Sequence, residues 1–222
     1  MTHCKVSTIG LRSTTSALKV FVDGNYFIKI CGKNESGQER ARDLELGTLL
    51  GAMLNQSRLL SNRCDLINNH STVHYYDAAY LEKDALRDPR IAAKRKGAMG
   101  FHSMLSKKCG FKVNTDGYMT SSGFDQKWSQ KGVDSTIALD IVEAAQDTSA
   151  HLVLVGGDGD LLPGVKRALS RGATVTMIAE KDGVSSQFQQ LAAEFPSFEL
   201  VLLSRCDLDA LCDVSGRFNR AA

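Results

Sequence analysis

Four aspartates carry the chemistry that this sequence offers: Asp23, Asp134, Asp158 and Asp160. Asp23 ends the apolar run Val20-Phe21-Val22 and is followed by Gly24-Asn25. Asp134 follows Lys131-Gly132-Val133 and opens a helical pattern, and Asp158 and Asp160 flank Gly159 after an apolar run. One acid at an element end is ordinarily a helix cap or a solvated charge. Several brought together from distant segments are another matter, because unit charges about 4 Å apart repel by about 4 kcal/mol at an effective dielectric near 20. Such a group needs protonation, a cationic partner or a metal. Lys131 is the cation placed to neutralise one of them. The alternative is an ion, and oxygen donors without His or Cys nearby favour Mg2+ or Mn2+ over zinc.

The elements that must position these acids follow from local pattern. Residues 152–156 are apolar or glycine without alternation, as in a strand buried on both faces of a parallel sheet. A short helix follows, with Pro163 in its first turn and Gly172 after its end, and then a strand over residues 173–179. Residues 17–22 predict the first strand, with Asn25 capping a helix over 26–30. Helices are expected over 43–60, 88–108 (one helix or a pair), 134–145 and 184–194, and strands over 72–76, from 111 and over 198–202. Residues 31–42 read as a loop, 114–130 as an irregular loop or hairpin, and 207–212 as a terminal helical turn. Tyr75 and Tyr76 could stack on bases, although an aromatic pair at a strand end more often belongs to a core. Asp140 lies about 120° around its helix from Asp134 and is expected to be structural or supporting. The strand–helix alternation implies a mostly parallel α/β sheet with helices on both faces, and ligands in such sheets bind outside the carboxyl ends of the strands.

Length and composition bound the rest. The 222 residues allow one domain with an appendage, and 43% hydrophobic against 23% charged residues is a globular balance. We expect a flexible segment over 1–16, the domain over 17–204 and an extension over 205–222. No apolar run is long enough for a membrane span, so a cytoplasmic protein is expected. The six scattered cysteines form no C-x-x-C pair and read as thiols, not as disulfides or a zinc site. The net charge of +2 hides a segregation: residues 82–112 hold nine Lys/Arg against three acids, and residues 133–222 seven against thirteen. A basic segment that includes Lys94, Arg95 and Lys96 beside an acidic one suits an anionic polymer held next to a cation pocket. The plainer alternative is a solvated helix face.

Taken in order, Val20-Phe21-Val22-Asp23-Gly24-Asn25, the run from Lys131-Gly132-Val133-Asp134 to Asp140, and Gly156-Gly157-Asp158-Gly159-Asp160-Leu161-Leu162-Pro163 resemble the NYN domain. This is the LabA-like branch of the PIN-like nuclease superfamily, and the resemblance covers roughly residues 19–201. It implies a Rossmann-like PIN fold and a metal-dependent site of endoribonuclease type acting on RNA. By motif position Asp23, Asp134 and Asp158 would carry Mg2+ or Mn2+, with Asp160 and Asn25 in direct or water-mediated support. Lys131 and the Lys94, Arg95, Lys96 cluster would hold the RNA backbone. The family usually has Ser-Gly-Asp where this chain has Gly156-Gly157-Asp158, and commonly an aromatic where Leu161 stands. The alternative function is a non-catalytic RNA-binding or regulatory module that keeps the fold. A haloacid-dehalogenase phosphatase would need a second Asp where Asn25 stands, and no Gly-rich phosphate loop ends in Lys-Ser/Thr. The strand expected over 198–202 offers an edge for a homo-oligomer.

Overall fold

Strand and helix alternate as the patterns require. The computed structural model describes residues 18–32, 46–60, 72–121 and 128–218. Within them run β1 (Leu18–Asp23), α1 (Gly24–Cys31), α2 (Leu46–Leu54), β2 (Thr72–Ala79), α3 (Glu82–Ala85), α4 (Pro89–Cys109), β3 (Lys112–Ser121) and β4 (Trp128–Lys131). There follow α5 (Val133–Ala144), β5 (His151–Val155), a 3-10 turn (Gly159–Leu161), α6 (Leu162–Ser170), β6 (Thr174–Glu180), α7 (Ser186–Glu194), β7 (Phe198–Leu203) and α8 (Arg205–Phe218). The expectations for residues 1–16, for most of the loop over 31–42 and for the start of the helix at 43 lie outside the described residues.

The strands form a seven-stranded sheet in the order β4-β3-β2-β1-β5-β6-β7. Every pairing is parallel except that of β3 with β4. Alternation along β1 feeds two cores. Leu18, Val20 and Val22 pack with α1, α2, α4 and α8 on one face, and Phe21 packs with α5, α6 and α7 on the other. β5 is buried along its whole length, as an unalternating apolar run between two helical layers must be. This is the α/β, mostly parallel, doubly covered sheet that the sequence predicts, and β7 lies at its edge. Among the described residues no helix is long and apolar enough to cross a membrane.

Several elements differ from expectation in extent or settle an alternative it left open. α4 is one continuous helix: the Asp88 side chain accepts from Arg90 N, Pro89 stands at its start, and Gly110 closes it at φ 71°. β2 continues past Tyr76 to Ala79 through a register irregularity, and the stretch after 113 extends β3 and returns as β4, so the hairpin alternative is the observed one. Its polar sequence concealed the strand because much of β3 faces solvent and shows no apolar alternation. The terminal turn over 207–212 belongs to a helix of 14 residues whose Leu208 and Cys212 are buried in the α1/α2 core.

Candidate active site

The chain leaves β1 toward β2 on one side and later places β5 on the other, so the sheet has its topological switch point between β1 and β5. In open α/β sheets ligands bind outside the carboxyl ends of the strands at such a point. In register, Val22 lies opposite Val155, which puts Asp23 at the level of Gly156 and Asp158 two residues beyond.

Each acid is fixed by its own local structure. Asp23 caps α1: its backbone is extended and its Oδ1 accepts from Tyr26 N at 3.1 Å. The next residue must be small, because a Cβ on Gly24 would come 2.5 Å from Tyr75 Cζ. Asp158 caps the 3-10 turn in the same way, its Oδ1 accepting from Asp160 N at 3.1 Å. The turn that leads into it is held under Tyr26, whose ring would lie 2.7 Å from a Cβ on Gly157 and whose hydroxyl accepts from Glu180 N at 2.7 Å. Burial pushes that phenol up to about 12, so it stays neutral. Asp134 stands in the first turn of α5, entered through Gly132 at φ 85°. α5 reaches this corner because Gly117 makes room for Val133, and because Gly164 of α6 lies against Ala138, where a Cβ would come within 2.8 Å.

The charges of these acids act on one another. Asp23 is 8% exposed. Its carboxyl rises to about 6, first from burial and then from the charges of Asp134 and Asp158, while backbone N–H groups of Tyr26 and Asn25 oppose the rise. Asp134 is half-buried, and its carboxyl is raised by burial, then by Asp158 and then by Asp160. Asp158 and Asp160 are exposed. Among the described residues no Lys or Arg is ion-paired to any of the four. Lys131 is exposed and is not among the influences on Asp23 or Asp134, so the neutralising role expected of it is not found. Among the described residues the cluster's negative charge therefore has no ion-pair partner.

The donor set suits a hard cation, since it consists of carboxylate oxygens with an unmet need for positive charge. It is not a closed cage: among the described residues no three His, Cys, Asp or Glu side chains stand together as a ready metal-holding group.

The other expected residues separate. Asn25 does not cap α1; Asp23 does, and Asn25 lies exposed in the first turn, where its backbone N–H supports the Asp23 carboxylate. Lys94 and Lys96 are exposed on α4, whereas Arg95 is half-buried and 3.8 Å from Glu82 Oε2. Tyr75 and Tyr76 are core residues, each 1% exposed. Asp140 is supporting: its Oδ2 accepts from the Tyr76 hydroxyl at 2.7 Å.

Sequence reasoning missed one acid, Asp77, which lies at the irregularity within β2. Its Oδ1 accepts from Gln130 Nε2 at 2.7 Å and from Ala78 N at 2.8 Å, and its Oδ2 lies 2.9 Å from His102 Nε2. The signal that singles out Asp23, an acid closing an apolar strand, is equally present in Tyr75-Tyr76-Asp77. Asp77 differs in having partners for its charge.

A family model for the NYN domain matches residues 17–199. No curated protein matches the chain.

Proposed function

The chain belongs to the NYN domain family of PIN-like nucleases, and on that premise we propose that it is a metal-dependent ribonuclease of the LabA-like branch, cleaving RNA internally. The observation that carries this reading is the convergence of Asp23, Asp134, Asp158 and Asp160 at the switch point with no opposing cation among the described residues. A structural cluster would be expected to recruit a Lys or Arg; a site for a cation leaves the charge open.

In this reading Asp23, Asp134 and Asp158 would hold Mg2+ or Mn2+, with Asp160 and Asn25 in direct or water-mediated support. When bound, such an ion supplies Lewis-acid charge to the phosphoryl oxygen and lowers the pKa of an attacking water. The protein's own contribution divides by exposure. Asp23, buried and committed to the α1 cap, forms the floor of the site. Asp158 and Asp160 are exposed, so they are the carboxylates open to water at the mouth of the site.

Phosphate binding falls to Lys131 and to the start of α4. Because α4 follows β2 through α3, its first turns lie at the carboxyl edge of the sheet, and Lys94 and Lys96 stand exposed there. Binding through such cations is salt-dependent and largely independent of sequence. A cytoplasmic setting and a second copy paired along the β7 edge belong to the same reading.

The test is cleavage of single-stranded and structured RNA by pure protein with Mg2+, Mn2+ or EDTA, beside Asp158→Asn. Metal-dependent cleavage lost in the variant supports the nuclease. A second reading, a non-catalytic RNA-binding or regulatory module, draws on the lack of a ready three-ligand group among the described residues. RNA binding without cleavage under any metal would favour it.

A further inference from the structure

β2, β3 and β4 continue past the strand ends that carry the carboxylates. β2 pairs with β1 as far as Tyr76, then goes on to pair Ala78 and Ala79 with Gly117 and Tyr118, and β3 pairs Tyr118 to Ser121 with β4. Directly opposed residues of an antiparallel pair share a face. Tyr118 therefore stands beside Lys131 on one face, with Thr120 and Ser129 next along it. The other face carries Gln130 and Trp128.

That second face is fastened to the body of the sheet. Gln130 Nε2 donates to Asp77 Oδ1 at 2.7 Å, and Asp77 is in turn joined to His102 of α4. The Trp128 ring meets Tyr80 edge-on with centroids 5.5 Å apart. A hairpin alone is marginal in water; these ties hold the first face in one orientation. On it Tyr118 is 46% exposed, and Lys131 is exposed beside it. Only Gly132 and Val133 separate Lys131 from Asp134, so their Cα atoms are at most about 11 Å apart.

The geometry points to this face as a platform for single-stranded RNA, on which a base next to the scissile phosphodiester stacks on Tyr118 while its phosphate meets Lys131. The inference rests on the nuclease reading and adds to it a substrate-positioning residue, Tyr118. The four carboxylates repel a phosphate chain, so an approaching strand needs a cation beside them, and Lys131, three residues before Asp134 in the chain, offers one. An aromatic face accepts any base without reading its edge, but only a base free of a duplex stack can reach it. The platform thus selects unpaired strand and is indifferent to sequence. Tyr75 and Tyr76, both within the core, cannot serve this purpose.

The test uses full-length Asp158→Asn protein, so that binding is read without cleavage, and short RNA carrying 2-aminopurine. Single-stranded RNA should bind with quenched fluorescence. Adding Tyr118→Ala should abolish the quench and weaken single-strand binding about tenfold, within the range of one stacked base. Tyr118→Trp should keep both, and duplex binding should change little. Thermal melts of each variant establish that the fold persists. An unchanged quench and affinity in Tyr118→Ala, or equal weakening for duplex and single strand, overturns the platform. The nuclease reading is judged separately, by metal-dependent cleavage in the protein with Asp158 intact. Cleavage without a Tyr118 effect sinks only the platform; a Tyr118 effect without cleavage sinks only the nuclease.

Discussion

The backbone N–H of Tyr26 donates to Asp23 Oδ1 at 3.1 Å, so the most buried acid of the site is also the cap of α1. The two duties pull in opposite directions on stability. A cap carboxylate helps the helix, and a buried carboxylate beside other acids resists ionisation.

Asp23→Asn should stabilise the metal-free protein at neutral pH. The carboxyl is raised from 3.8 to about 6 in the fold. Its ionisation therefore costs stability that is intact below pH ~4, declines between pH ~4 and ~6, and stays lost above that, by roughly 3 kcal/mol. Asn keeps the cap without the charge. Melts from pH 4 to 8 should show a gain above pH 6 that fades toward pH 4. Destabilisation across the whole range would contradict this account.

Divalent metal should raise the melting temperature at pH 7 without any substrate. An ion that binds only the folded state at about a hundred times its Kd adds roughly 3 kcal/mol. The shift should shrink in Asp134→Asn and in Asp158→Asn, and grow from pH 5 to pH 7 as Asp23 ionises. Identical melts with Mg2+, Mn2+ and EDTA would remove the cation from this site.

Gly156 and Gly157 should respond differently to a side chain. A Cβ at Gly156 meets the end of the Leu161 side chain at 3.1 Å, which can yield, whereas one at Gly157 meets the Tyr26 ring at 2.7 to 2.9 Å. Gly156→Ser should cost under about 1 kcal/mol and Gly157→Ala about 1–3 kcal/mol in denaturant unfolding. A larger cost at Gly156 would mean that the turn is held otherwise. A small cost at Gly156→Ser would show that the serine usual in the family is tolerated here, consistent with a backbone rather than a chemical role for that position.

Neutralising Lys94 and Lys96 together should weaken RNA binding and reduce the slope of log K against log salt by about 0.7 for each phosphate no longer neutralised. Arg95→Gln should do less, because Arg95 is half-buried beside Glu82. Equal slopes in all variants would leave α4 a solvated face.

Tyr76→Phe should cost about 1–3 kcal/mol by removing the hydroxyl that donates to Asp140 at 2.7 Å. Asp140→Asn, which can still accept, should cost less. The comparison by thermal melt separates a positioning bond on α5 from a catalytic duty of Asp140, which would lower turnover without a change in stability.

The sequence alone determined what depends on nearest neighbours and on burial from both sides. An unalternating apolar run such as residues 152–155 has no face for water, so it must be an inner strand. Acids placed directly after such strands fall at one edge of the sheet, which is why Asp23 and Asp158 stand out from local pattern, and the start of α5 marks Asp134 in the same way. Periodicity likewise located α5 and its buried Ile137 and Ile141. Tertiary structure decided whatever depends on partners far along the chain. Whether an acid is compensated cannot be read locally: Asp77 finds Gln130 and His102, while the four site acids find no basic partner among the described residues. Whether a tyrosine faces core or solvent is equally remote, and Tyr75 is covered where Tyr118 is not. The cap of α1 turned on backbone angles that let Asp23, and not Asn25, reach the free N–H of Tyr26. Charge compensation and exposure are sums over the whole packed molecule, so only the assembled sheet and its two helical layers could set them.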